Sequence, residues 1–205
     1  MIKKNISRFI ALISGITLLS FPVYGQEKET QDKVIWFRNT GVFFGNSFYF
    51  GDNMIADSHR LHNMGAEIKL GIAKYKNVGL TLFTGFTTLK VDDTRMIGEV
   101  NSSKEVKGGA SVFYQMDITE KSTFKPELGI YDVSFTSTGV GIDVESMSGT
   151  GFLIGTDYQY NLTARFRTVV GLHYHWNTYN VKTASQYKNY FERAQFIQLS
   201  VGINF

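Results

Sequence analysis

From Phe205 backward, every second residue of the terminal stretch is apolar. Ile203, Val201, Leu199 and Ile197 form one set, and Asn204, Gly202, Ser200 and Gln198 between them are polar or small. Side chains on a β-strand alternate between two faces, so this strand presents one greasy face and one that is not. The same two-residue period recurs along the chain, and it decides what the chain can build.

Eight segments of roughly ten or more residues are read as strands: 34–50, 63–75, 78–90, 104–116, 123–135, 149–160, 164–177 and 191–205. On the second, Ala66, Ile68, Leu70 and Ile72 share a face, opposite Glu67, Lys69, Gly71 and Ala73. On the seventh, Phe166, Thr168, Val170, Leu172, Tyr174 and Trp176 point one way, and Arg165, Arg167, Val169, Gly171, His173 and His175 the other. A soluble sandwich does not bury two arginines and two histidines on one face. A membrane barrel does, because its polar face is the inside. The mean hydropathy, close to zero, is compatible with this, since alternation hides a lipid-facing surface.

The links alternate in length. Residues 76–77, 117–122 and 161–163 are short, whereas 51–62, 91–103, 136–148 and 178–190 are longer and polar. Three short and four long links imply an even strand count with both chain ends on the short-link side. The expected fold is therefore all-β: an eight-stranded antiparallel up-and-down transmembrane barrel over residues 34–205, with short periplasmic turns and longer extracellular loops. Aromatic residues at strand ends, Trp36, Phe124, Tyr158, Tyr160 and Phe205 below and Phe48, Phe86, Tyr174, Trp176 and Phe191 above, are read as interfacial girdles. Pro126 and an outward Asp132 break the pattern of strand five, and a β-bulge near Tyr131 would reconcile them. Arg38 takes an outward slot on strand one, from which it can snorkel.

Residues 1–25 read as a secretory signal peptide, with Lys3, Lys4 and Arg8 before an apolar run from Phe9 to Leu19 and cleavage expected between Gly25 and Gln26. The polar stretch 26–33 is read as a periplasmic tail. Of 21 Lys+Arg and 18 Asp+Glu, the leader carries three basic residues and no acid, so the remainder is balanced at 18 of each. That balance speaks against a nucleic-acid partner. With no cysteine, neither a lipid anchor nor a disulfide can form.

An eight-stranded lumen is just wide enough for side chains to fill it. The inward set carries Lys69, Lys107, Lys125, Arg165 and Arg167 against Glu67, Glu127, Asp157 and Glu192, joined by His173 and His175. Confined opposite charges must pair, so the expectation is a structural polar network that plugs the barrel, with a narrow selective conduit as the alternative. His173 and His175 share a strand face and could meet one metal ion, but no third ligand is assigned; His59 and His62 with Asp57 form a second loose cluster. No metal or cofactor is expected from either set. The stretch Gly149-Thr150-Gly151 with Gly155 has the wrong spacing for a dinucleotide loop, and no Gly-x-Ser-x-Gly elbow is present.

The terminal stretch resembles the closing strand of bacterial outer-membrane β-barrels. Their terminal signal (polar, any, glycine, any, any, apolar, any, apolar) maps to Gln198, Ser200, Ile203 and Phe205, with Ser200 standing in for the glycine. With the leader and the eight segments, the chain resembles small barrels of the OmpX and OmpA transmembrane-domain type. Its Gly and Tyr usage, with Gln26 after the cleavage site, is also similar to porin-like barrels of Bacteroidota. The resemblance implies a monomer whose partners are outer-membrane lipids, and the barrel-assembly machinery and periplasmic chaperones during biogenesis. The role it implies is envelope integrity, surface contact through the outer loops or, as an alternative, small-solute permeation. Lipid A deacylase barrels carry a bilayer-facing His-x-Ser pair, where this chain has His173-Tyr174-His175 turned inward, so an enzyme is not expected.

Overall fold

The structure, a computed structural model, describes residues 33–60, 63–94, 100–139, 142–163 and 165–205. The expected leader and nearly all of the polar tail lie outside them, as do His62 and the side chain of Arg38.

Eight long strands follow one another: β1 Ile35–Phe50, β2 Asn63–Tyr75, β3 Val78–Lys90, β4 Val100–Tyr114, β5 Ser122–Gly139, β6 Ile142–Asn161, β7 Arg167–Asn180 and β8 Arg193–Asn204. A two-residue strand, Met116–Asp117, pairs with Phe124 and Thr123 at the foot of β5. Each long strand pairs antiparallel with its sequence neighbour, and β1 pairs with β8 through the register Phe43↔Gly202 to close the ring. Closure leaves the barrel without a first and a last edge. Residues 34–205 form one compact unit.

The short links gather at one end, here the turn end. The tightest is Lys76-Asn77, where Lys76 is the one non-glycine with positive φ (54°) among the described residues. At the opposite, loop end, Gly51 (φ 91°) turns the chain into a short helix, α1 (Met54–Ser58), whose start is capped by Asn53 Oδ1 accepting from the Ala56 N–H at 3.0 Å. A second short helix, α2 (Lys188–Glu192), precedes β8.

Two expectations are corrected here. The third long link, expected at 136–148, is mostly strand: β5 runs 18 residues and β6 runs 20, paired up to Gly139↔Ile142. Its serines and threonines look like a loop, yet they keep the two-residue period. The bulge expected near Tyr131 is also not there. The β4–β5 register runs unbroken from Glu127↔Phe113 to Thr138↔Ser102. Asp132 is exposed on the outer wall, and Val133 and Phe135 are buried inside because the upper lumen is apolar. Pro126 falls where the ladder to β4 is interrupted, between Glu127↔Phe113 and Phe124↔Met116, so its missing donor is not required on that side.

The outer wall carries Phe44, Leu82, Val112, Leu128, Ile130, Phe152, Ile154, Val170, Leu172, Leu199, Val201 and Ile203, all exposed. The inner wall buries Glu67, Lys69, Glu105, Lys107, Lys125, Glu127, Asp157, His173 and His175. This is the polarity of a soluble protein turned inside out. Trp36, Tyr158, Tyr160 and Phe205 ring the turn end of the apolar band, and Phe50, Phe86 and Trp176 its upper edge, all exposed. Phe191 instead lies in α2, half-buried against the lumen core with Tyr190 at 5.2 Å.

Candidate functional site

The lumen divides into a charged lower storey and an apolar upper one. In the lower storey Lys69 of β2 crosses to β5 and β6, with Nζ 2.5 Å from Glu127 Oε1 and 3.0 Å from Asp157 Oδ2. His173 Nε2 from β7 closes on the same Glu127 oxygen at 2.5 Å and stands 3.4 Å from Asp157 Oδ1. One level up, Lys107 of β4 pairs with Glu67 Oε2 at 3.0 Å and donates to Gln198 Oε1 of β8 at 2.6 Å. Its ammonium is held between the faces of Tyr131 and Phe196, 5.9 and 5.8 Å from the ring centroids. These bonds join strands on opposite walls, so they span the lumen rather than lining it.

Glu105, 1% exposed, marks the boundary between storeys. Its Oε2 accepts from Tyr49 Oη (3.1 Å), Tyr179 Oη (2.8 Å) and Asn177 Nδ2 (2.9 Å). A buried carboxylate surrounded by three donors is tolerable without a cation in direct contact. Leu89, Phe135 and Tyr179 on its loop-end side join Phe83, Val133 and Phe196 in an apolar core, into which α1 inserts Met54 and Ile55. Expecting a polar centre throughout is thus right only for the lower half. At the loop end the enclosed space is filled the way a soluble core is filled.

α1 is pinned by His59. Its Nδ1 lies 2.8 Å from Ser58 Oγ, and Ser58 Oγ donates to the carbonyl of Met54. That direction makes Nδ1 the protonated nitrogen and leaves Nε2 to accept from Ser103 Oγ at 2.8 Å, with Ser137 Oγ 3.0 Å further on. Burial pulls the His59 imidazole down to about 4, against a weaker upward pull from the carbonyl of Ile55. Ser103 and His59 form a serine–histidine pair, but both are buried and, among the described residues, no carboxylate bonds to the ring.

Of the residues singled out in the sequence, Glu67, Lys69, Lys107, Lys125, Glu127, Asp157, His173 and His175 are buried in the lumen. Arg167 is half-buried at the turn end, donating from Nη1 to Asn39 Oδ1 at 3.1 Å. Two expectations are corrected. Arg165 is exposed, because β7 starts only at Arg167 and residue 165 belongs to the preceding turn. Glu192 ends α2 rather than facing the lumen from β8, which starts at Arg193. In the terminal strand Gln198 and Ser200 are buried inward, and Ile203 and Phe205 are exposed outward.

His173 and His175 do not converge on a common point: the His175 ring stacks on Phe196, centroids 4.4 Å apart and 4° from parallel. Among the described residues, the set with metal-like spacing is Glu127, Asp157 and His173, whose ligand atoms lie within 4.8 Å of one another. The Lys69 ammonium already stands among them as their cation. Residues missed in the sequence include Glu105, Tyr49, Asn177, Tyr179 and the His59–Ser103 pair. Glu105 lay within reach, two residues before Lys107 and in its phase.

Among solved structures, the chain is similar to Neisserial surface protein A, with a TM-score of 0.60 at 15% identity over 84% of this chain and 98% of that one. The fold is that of the small eight-stranded outer-membrane barrels. A major outer membrane protein from Thermus thermophilus is also similar, with a TM-score of 0.51 at 15% identity, covering 82% of this chain and 99% of that one. No protein-family model and no curated protein sequence matches the chain.

Proposed function

We propose that this is an exported, monomeric, non-enzymatic barrel of the outer membrane that makes surface contacts through its loop end. The carrying observation is the length of β5 and β6. Spanning takes about 9–11 tilted residues, whereas these strands have 18 and 20. Among the described side chains, the excess lies past the last outward apolar residues, Ile130 and Phe152, where the outward positions become Asp132, Ser134, Thr136 and Thr138 on β5 and Thr150, Ser148 and Ser146 on β6. A paired, polar hairpin standing clear of the apolar band is suited to contact, and nothing in spanning requires it.

In this reading the leader directs export and the terminal strand engages chaperones and the assembly machinery. Lipid then covers the outer wall. Catalysis has little to recommend it, since the serine–histidine pair at Ser103 is shut away from any substrate. A solute channel is the second reading, and the bonds spanning the lumen count against it.

Two measurements test the proposal. Cells bearing the intact barrel are compared with cells in which residues 134–148 are replaced by a two-residue turn, for autoaggregation and adherence to polystyrene. Heat-dependent gel mobility reports that both barrels are folded. Loss of adherence with the fold kept is expected, and equal adherence overturns the contact role. In planar bilayers the intact barrel is expected to be silent, whereas discrete conductance steps would favour the channel.

A further inference from the structure

Two lysines stand side by side on the outer wall, just past the loop-end edge of the apolar band. Phe86 of β3 and Val106 of β4 face each other in register, both exposed, and are the last outward apolar pair of these strands. The next outward pair is Thr88↔Lys104, and the one after it is Lys90↔Ser102. Lys90 and Lys104 are therefore diagonal neighbours, roughly 7–8 Å apart at the backbone. Two four-carbon stems at that spacing can meet on one ligand. Both lysines are exposed, and neither ammonium pairs with a carboxylate among the described residues.

The surroundings are hydroxyls rather than acids. Thr88 and Ser102 lie opposite the two lysines, and Thr136 of β5 flanks Lys104 on its other side. Among the described residues, the outward acid of this wall is Asp132, two outward positions below Thr136 and opposite Gly108. Asp92 and Asp93, past the end of β3, are both engaged, Asp92 by Arg60 at 3.4 Å. Lys104 is also held down. Its Nζ lies 4.9 Å from the centre of the Phe86 ring, so the side chain runs toward the apolar band. A lysine that only snorkels carries its ammonium the other way, into water.

We propose that Lys90 and Lys104 bind the phosphate of an outer-leaflet lipid headgroup, whose acyl chains lie over Phe86 and Val106. The two ammonium groups supply the opposing charge, and Thr88, Ser102 and Thr136 add hydroxyl donors. The site rests on the outer-membrane reading above, with the loop end outward, but it shares no measurement with the contact role. Free phosphate is disfavoured, since an open wall encloses nothing and only a lipid adds apolar contact to the charge.

The folded full chain in nonionic detergent is titrated with lipid A and, separately, with dephosphorylated lipid A, and bound lipid is counted by native mass spectrometry. Saturable binding of the phosphorylated form alone is expected, and a tenfold excess of inorganic phosphate is expected not to displace it. K90M and K104M are each expected to weaken that binding about tenfold, the worth of one charged hydrogen bond. R193M, which removes a lone exposed cation at the loop end of β8, is expected to leave it unchanged. Heat-dependent gel mobility reports that each variant is folded. Equal binding of the two lipid forms overturns the site, as does displacement by inorganic phosphate. A loss in R193M matching that in K104M, meaning attraction to any basic residue, overturns it too. Cell adherence does not enter this measurement, so failure here leaves the contact role standing.

Discussion

Lys69 Nζ lies 3.0 Å from Asp157 Oδ2, although the two residues are 88 positions apart and sit on strands separated by β3, β4 and β5. That contact fastens one wall of the lumen to another. Replacing Lys69 by Met removes the cation bonded to both Glu127 and Asp157 and leaves the two carboxylates buried, and breaking a buried pair from one side costs about 3–5 kcal/mol. Adding Glu127→Gln and Asp157→Asn removes the stranded charges, so the triple variant is expected to recover much of the loss. Urea unfolding in lipid vesicles measures both. A single variant as stable as the parent would show that Lys69 is a bystander.

The His59 pin gives the loop end a pH response of definite sign. Its folded pKa of about 4 lies below the ordinary histidine value of 6.5, so folding favours the neutral ring. The stability it contributes is fully present above pH 6.5 and is lost as pH falls through the window from 6.5 to about 4. A protonated ring must donate from both nitrogens, and Ser103 can then no longer donate to Nε2. Amide hydrogen exchange at residues 54–59, corrected for intrinsic rate, is expected to speed up between pH 7.5 and 5. His59→Gln should flatten that dependence. The same pH profile in His59→Gln and the parent would rule out His59 as the cause.

How far the sequence revealed this structure depended on what each residue faces. The outer wall was legible because lipid demands apolar side chains at alternate positions, as from Ile197 to Phe205. The lower lumen was legible because ionised groups such as Lys69 and Glu127 have no other place in an alternating strand. The upper lumen was not. Val133 and Phe135 face a core built by α1 from a distant loop, and period-2 reading cannot distinguish an apolar side chain facing lipid from one facing Met54 and Ile55. The strand extensions were hidden for the opposite reason. Past the apolar band both faces of β6 meet less demanding surroundings, so Ser146 and Ser148 resemble a loop. Nor does sequence show what a buried lysine meets: Lys69 and Lys125 are equivalent in the pattern and differ only in what reaches them across the lumen.

Tyr131 depends on glycine on both sides. Its register partners are Gly109 on β4 and Gly151 on β6, and a Cβ at Gly151 would overlap its ring. The ring cannot move freely, since Tyr131 Oη is bonded to Asn177 Oδ1 and His175 Nδ1. Gly151→Ala is therefore expected to destabilise by about 1–3 kcal/mol, the usual penalty for overpacking. In a Tyr131→Ala background the overlap with the ring is gone and Asn177 Oδ1, 2.6 Å from the methyl position, is released from its bond to Tyr131, so the two changes together should cost less than their sum. Strict additivity in a urea-unfolding cycle would mean the ring and the glycine are not coupled.

The inverted polarity itself has a direct test on β5. Leu128 is 62% exposed on the outer wall, with Val112 and Ile154 beside it in register, and eight residues further along Thr136 is outward past the apolar band. In water, both positions would accept an arginine almost equally, since neither is enclosed by protein. In a bilayer, an arginine near the midplane costs about 2–4 kcal/mol and one at or beyond the interface about 0–1. Leu128→Arg is thus expected to lower folding efficiency and urea resistance in vesicles, and Thr136→Arg to leave both nearly unchanged. Equal tolerance of the two substitutions would mean that the outer wall does not face hydrocarbon, because only a depth-dependent solvent makes the same side chain costly at one level of a strand and harmless at another.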